Sequence, residues 1–232
     1  MNIVVMFSNV YAFGQESSVT VTDIDGNVYH TVTIGTQVWM VENLKTTRYR
    51  NGDTIGTTTP VTKNINSETE PKYQWAYNGD ESNVTKYGRM YTWYVVNDSR
   101  NIAPIGWHVP TYGEWLTLVY YLSANGYNYD GTTAHNRIAK SLASNMDWNT
   151  STDTGAIGND LTMNNTSGFS ALPCGTRDSD GKLHSFGYKG NWWSSHGYAK
   201  NAWSWSLYYS SYDLFGMYNS KNYGFSVRCV RD

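Results

Sequence analysis

Cysteine, proline and charge are all scarce in this chain of 232 residues, which has 2 Cys, 5 Pro and only 16% charged residues. Two cysteines cannot supply a four-ligand zinc site, and no histidine pair stands at metal-binding spacing beside Cys174 or Cys229. His30, His108, His135, His184 and His196 are scattered, so they read as surface or cleft residues, and neither a metal nor a cofactor is expected. With 17 Lys and Arg against 19 Asp and Glu, the net charge of −2 offers no cationic face to a phosphate backbone, which excludes nucleic acid as a partner. No run reaches the roughly 18 apolar residues that cross a bilayer, so no transmembrane segment is expected.

Aromatic residues are what the chain has in excess: 10 Trp, 20 Tyr and 6 Phe. A chain of this length and composition can bury a large core, which excludes disorder as its main state. The opening MNIVVMFSNVYAFG is an apolar run with small residues near Ala12 and Gly14 but no basic start, and it leads into polar Gln15 to Ser18. It reads as a truncated export signal and leader over 1–18, followed by a single domain over 19–232; a buried first strand is the alternative. Export places the protein outside the cell or on its surface.

Val19 and Val21, then Val28, His30, Val32 and Ile34, alternate around Asp25-Gly26, the pattern of a hairpin closed by a two-residue turn. Val28 and Ile34 stand where a calcium loop would need Gly and Glu, so Asp23 and Asp25 are read as turn residues. The segment 34–44 is strand-like. From about 50 to 71 a Thr/Asn/Gly/Pro-rich stretch forms a long loop, of a length that is commonly functional or mobile. Thr111 and Glu114 form a capping box ahead of Trp115, Leu118, Val119 and Leu122, which predicts a helix and occupies the Glu114 carboxylate. A shorter second helix is expected within 134–144, around Ile138, Ala139 and Leu142, and strands and loops from Gly168 onward.

Six strings are too specific for composition to explain: Asp23-Ile24-Asp25-Gly26-Asn27-Val28-Tyr29; IGTQVWMVENL at 34–44; Gly106-Trp107-His108-Val109-Pro110-Thr111 with Glu114-Trp115; Gly168-Phe169-Ser170-Ala171-Leu172-Pro173; Trp192-Trp193-Ser194-Ser195; and Gly224 to Asp232. In this order the chain, from about Val21 to Asp232, resembles the Fibrobacter succinogenes major paralogous domain family of exported bacterial proteins. The resemblance implies an α+β class and a C-type-lectin-like fold, with two helices and twisted antiparallel sheets, distantly similar to formylglycine-generating enzymes. Ala103-Pro104 stands where relatives usually have Cys-Pro, and Cys174 stands where glycine is more usual. Two readings follow: a relocated Cys174–Cys229 disulfide, or two separate buried thiols.

A catalytic function is not expected. No Gly-x-Ser-x-Gly string is present, and Ser195 and His196 are neighbours on an expected strand, so they point to opposite faces. Cys229 within an apolar terminal strand reads as a small buried hydrophobe rather than a nucleophile. A formylglycine-generating-like or glycan-modifying enzyme, or a structural protein of the cell envelope, stands as the alternative.

The segment from His196 to Tyr223 holds six Tyr, five Ser, three Asn and two Trp. Tyrosine brings contact area at low rotamer entropy while Ser and Asn give adaptable hydrogen bonds, the composition of a binding surface. Candidate ligand-binding residues are His196, Tyr198, Asn201, Trp203, Trp205, Tyr208, Tyr209, Tyr212, Asp213, Tyr218, Asn219, Asn222 and Tyr223. The expected partner is a glycan or a cell-surface protein, and oligomeric state is not indicated. In fold and in this composition the chain also resembles the variable proteins of diversity-generating retroelements, in which adenine-containing codons scatter and Trp codons stay fixed. Glu-Pro-Asn, Gln-Pro-Asp and Trp-Asn-Asp are all absent, so sugar binding is expected to be independent of calcium.

Overall fold

The computed structural model describes residues 20–232; the expected export signal over 1–18 lies outside them. The elements run β1 (Thr20–Thr22), β2 (Val28–Ile34), β3 (Gln37–Met40), β4 (Gln74–Ala76), α1 (Val84–Tyr87), β5 (Arg89–Tyr91), α2 (Trp93–Val96), β6 (Trp107–His108), α3 (Tyr112–Ala124), α4 (Ala139–Leu142), β7 (Cys174–Arg177), β8 (Leu183–Phe186), β9 (Lys189–Tyr198), β10 (Asn201–Tyr208), β11 (Phe215–Ser220) and β12 (Val230–Arg231). The class is α+β, with few helices and antiparallel sheets. A five-stranded sheet has the order β1-β2-β3-β12-β6, a three-stranded sheet the order β11-β10-β9, and β4-β5 and β7-β8 form ribbons. Val230 of β12 pairs with both Trp39 and His108, which joins the last family string to two early ones.

The period of two along a strand explains the adjacent tryptophans of β9. Trp192 enters one core with Trp39, Trp115, Leu118, Trp205 and Leu207, while Trp193 enters the other with Tyr91, Ala202, Phe225 and Cys229. The β9–β11 sheet is therefore a wall between two cores. One helix is as the sequence predicts: the Thr111 hydroxyl accepts from the Glu114 amide, and Glu114 Oε2 accepts from the Thr111 amide at 2.7 Å. Trp115, Leu118, Val119 and Leu122 are buried beneath it.

Two expectations are corrected, and one open alternative is decided. The first hairpin turns through Ile24, Asp25 and Gly26 rather than through two residues: the Asp23 amide donates to the Asn27 carbonyl at 3.0 Å, and Asp23 Oδ1 accepts from the Asp25 and Asn27 amides. The second helix is one turn of four residues, Ala139–Leu142, and α1 and α2 are further single turns that the sequence pattern did not show. The cysteines form no bridge: both are free and buried. Cys174 sits on β7, where its sulfur accepts from Asn43 Nδ2 at 3.1 Å, while Cys229 packs in the second core, just ahead of β12. Burial pushes the Cys174 thiol up to about 11 and raises that of Cys229 as well.

The stretch over 50–71 is irregular, as expected, but it is anchored. Ile55 and Ile65 are buried, and the guanidinium of fully buried Arg177 donates to the carbonyls of Val61 at 2.9 Å and Lys63 at 2.6 Å while lying 4.0 Å from the Trp75 ring. The Ile65 amide also donates to Ser179, and Asn222 Nδ2 donates to the Ile65 carbonyl.

Candidate functional site

Beyond the N-terminus of α3, the three-stranded sheet continues past its cores and presents one face outward. Register and pleat select the side chains on that face. Asn201 pairs with Tyr198 across the hairpin of β9 and β10, and Trp203 pairs with Tyr218 on β11. Cross-strand partners point to the same side, and so do residues two apart, so Tyr198, Asn201, Trp203 and Tyr218 share one face.

Tyr112, in the first turn of α3, reaches that face. Its ring centroid lies 4.6 Å from Trp203, which in turn lies 4.1 Å from Tyr218. His196 is 6.5 Å from Tyr112 and extends the row onto β9. The row is wet at its ends: Tyr198 is 70% and Tyr218 48% exposed, and His196 and Asn201 are exposed too. Its chemistry is ring faces, an imidazole, an amide and phenol hydroxyls, with no carboxylate, ammonium or thiol among its members.

The remaining candidates are not part of this row. Trp205 is a correction: it is 4% exposed and stacks on Trp115 at 5.7 Å with an interplanar angle of 22°, because the face that is outward at Trp203 runs beneath α3 two residues later. Tyr209 packs against the same core and meets Tyr188 edge-on at 5.2 Å. Tyr208 and Asn219 lie on the opposite face; Tyr208 sits beside Phe215 and under the Lys189 ammonium, and Asn219 Nδ2 donates to Ser204. Asn222 holds the long loop, and Tyr223 leans on Phe225 at the second core.

Tyr212 and Asp213 belong to a separate patch. Tyr212 lies 5.5 Å from Tyr129, a wall of a cavity of about 490 Å³ that Tyr127, Asn128, Lys140 and Asn159 also line. The Lys140 ammonium is saturated by the carbonyls of Ala156, Asn159 and Asp160, and burial lowers its pKa. Burial likewise raises the Asp213 carboxyl, against the pull of nearby Arg137 and His135. Among the described residues, no group of three or more His, Cys, Asp or Glu is placed to hold a metal ion, and no helix is long and apolar enough to cross a membrane.

Tyr112 is the member of the row that composition could not find. The signal is periodicity: Tyr112 is three residues before Trp115 and is thus the first residue of the helix's apolar stripe, the one that overhangs the core.

Fold and surface together define an α+β domain of antiparallel sheets with an uncharged aromatic face. The model of the Fibrobacter succinogenes major domain matches residues 32–231, and the chain belongs to that family. Searches of curated proteins and of solved structures returned no match.

Proposed function

We propose that this protein is a non-catalytic, exported or cell-surface binding domain, which recognises a glycan or a protein surface through the row Tyr112, His196, Tyr198, Asn201, Trp203 and Tyr218. The observation that carries the reading is the row's geometry: rings held at 4.6 and 4.1 Å, rooted in the core at Tyr112 and exposed at Tyr198 and Tyr218. Rings fixed in this way lose little entropy on contact, and the indole and phenol faces suit either sugar C–H faces or apolar protein side chains. Asn201 and the phenol hydroxyls supply directional hydrogen bonds at the margin.

The C-type-lectin-like arrangement is part of the proposal. It is supported by the placement of β12 between β3 and β6, which brings the two ends of the domain together, and by the long irregular segments that precede β7. Diversification of 196–223 is a further part. The scatter of Tyr, Ser and Asn around fixed Trp203 and Trp205 fits it, and an adenine-rich near-copy of this DNA beside a reverse transcriptase gene is the expected finding.

The direct test is a glycan and surface-protein screen of the purified chain, followed by the double variant His196→Ala/Tyr198→Ser. Both side chains are exposed, so the fold is expected to stay intact while affinity for the screen's ligand falls about tenfold or more. Unchanged affinity would move the binding surface elsewhere.

A further inference from the structure

Sheet edges expose unpaired backbone groups, and proteins normally shorten, charge, interrupt or cover them. Most edges here are treated that way. In the five-stranded sheet, edge strand β1 has three residues and β6 has two. The pairing of β7 with β8 is interrupted at Gly175 and Ser185, both with positive φ, and the Arg177–Gly224 bridge covers β7. The outer side of β9 is bridged to Ser226 and bonded to Pro110.

The outer edge of β11 has none of these protections. Its six residues, FGMYNS, contain no charge and no proline, and they run opposite β10 in six consecutive pairs without a register shift. No strand lies on its far side among the described residues. Large side chains are exposed on both of its faces: Phe215 at 37% and Met217 at 38% on one, Tyr218 at 48% on the other.

The open stretch has defined ends. Before it, the Asn136 amide bonds both the carbonyl and the amide of Leu214 and closes the edge there. After it, the Tyr223 amide takes the Ser220 carbonyl. The window is Phe215 to Asn219, five residues centred on Met217. The two-residue turn at Ala199 and Lys200 makes Tyr198 and Asn201 the bonded pair of that hairpin. By alternation Ala202, Ser204 and Ser206 bond β11, which leaves the backbone groups of Gly216 and Tyr218 facing outward.

We propose that this edge pairs with the same edge of a second copy of the chain, antiparallel about a two-fold axis at Met217, which joins two three-stranded sheets into one of six strands. An isologous contact needs a self-complementary patch, and this window is one. Gly216 of each copy faces Tyr218 of the other, and those are the two positions whose donors and acceptors point outward. Phe215 faces Asn219, and Met217 meets its own copy on the axis. The stretch is uncharged, so the copies meet no like charge, and a register slip of one residue would lose the pairing of outward groups. A glycine opposite an aromatic is a favourable cross-strand pair. Over Gly216 lie the edges of Trp203 and Trp205, so the incoming Tyr218 continues the aromatic row of one copy into that of the other. This inference concerns assembly and goes beyond the binding role of the row.

Analytical ultracentrifugation of the full chain over a concentration series tests it. The wild type is expected to sediment as a dimer that dissociates on dilution. Met217→Lys and Met217→Glu are each expected to be monomers with an unchanged near-ultraviolet circular dichroism spectrum, because each puts two like charges on the axis. Mixed in equal amounts they are expected to form a heterodimer. Without any substitution, the Gly216 and Tyr218 amides are expected to gain protection from hydrogen exchange as concentration rises. A wild type that stays monomeric, a dimer that survives both substitutions, a mixture that stays monomeric, or amides that exchange alike in both states would each overturn the proposal. None of these outcomes depends on His196 or Tyr198, so failure here is distinguishable from failure of the ligand-binding reading.

Discussion

Trp203 and Trp205 are two residues apart on one strand face, yet the first is half-exposed in the aromatic row and the second is core. Composition treats them alike, and only the position of α3 above the sheet separates them. Trp205→Ala is accordingly expected to cost about 3–5 kcal/mol in chemical denaturation, the usual cost of emptying a packed aromatic site, whereas Tyr198→Ser is expected to stay within about 0.5 kcal/mol. Buried guanidiniums are a second matter the sequence hides. Arg177 and Arg228 are fully buried without a carboxylate in contact; carbonyls and the Trp75 ring face meet Arg177, while the Phe169 carbonyl, Asn43 and the Phe169 ring meet Arg228, whose Nε is left without a partner, and burial lowers both to about 10. Arg177→Met leaves the Val61 and Lys63 carbonyls unpaired, so a loss of about 3 kcal/mol and faster proteolysis within 57–70 are the expected results. For the cysteines the sequence left two readings, and burial decides between them. Native protein is expected to react with a thiol reagent only at its unfolding rate, with two thiols titrating after denaturation.

At the scale of elements, strong local signals were legible and weak ones were not. The capping box at Thr111 and Glu114 stands out because two side chains and two amides bond reciprocally, a local arrangement that needs no tertiary partner. The helix around Ile138 shrank to a turn because its backbone is recruited elsewhere: the Ala139 amide bonds the Tyr212 carbonyl. Likewise Asp25-Gly26 carried a turn signal, but the Asp23 carboxylate, which also accepts from the Tyr29 hydroxyl at 2.5 Å, set the loop length. The start of α3 carries a pH dependence. His108 bonds Glu114 through Nε2 and Asp232 through Nδ1, both at 2.6 Å, so it links the capping box to β12. Burial opposes the imidazolium, but the two carboxylate hydrogen bonds outweigh it and raise the pKa above the ordinary value near 6.5. A histidine with a raised folded pKa stabilises fully below its unfolded value, and this contribution disappears as pH rises through the folded value. Urea midpoints are therefore expected to fall across that window in the wild type and to be flatter in His108→Gln.

At the scale of the whole molecule, the family strings proved to be the seams of the architecture. Trp39, Trp107, Trp192, Trp193 and Val230 come from four separate strings, yet they meet where β12 joins the five-stranded sheet and where β9 divides the two cores. The proposed binding surface was legible in kind but not in extent. Tyr, Ser and Asn enrichment pointed to the hairpin that carries most of the row, and the sheet's alternation then divided its residues among the outward face, the core and the opposite face, which no count of residues could do. Of the candidates, His196, Tyr198, Asn201, Trp203 and Tyr218 came together, and Tyr112 joined them from a helix 84 residues before His196. The central claim is that this row is where a ligand docks. The measurement that tests it most directly is the affinity of the wild type and of His196→Ala/Tyr198→Ser for the ligand recovered from a glycan and surface-protein screen. A loss of about tenfold or more at unchanged thermal stability is the predicted result; equal affinity of the two proteins would contradict it.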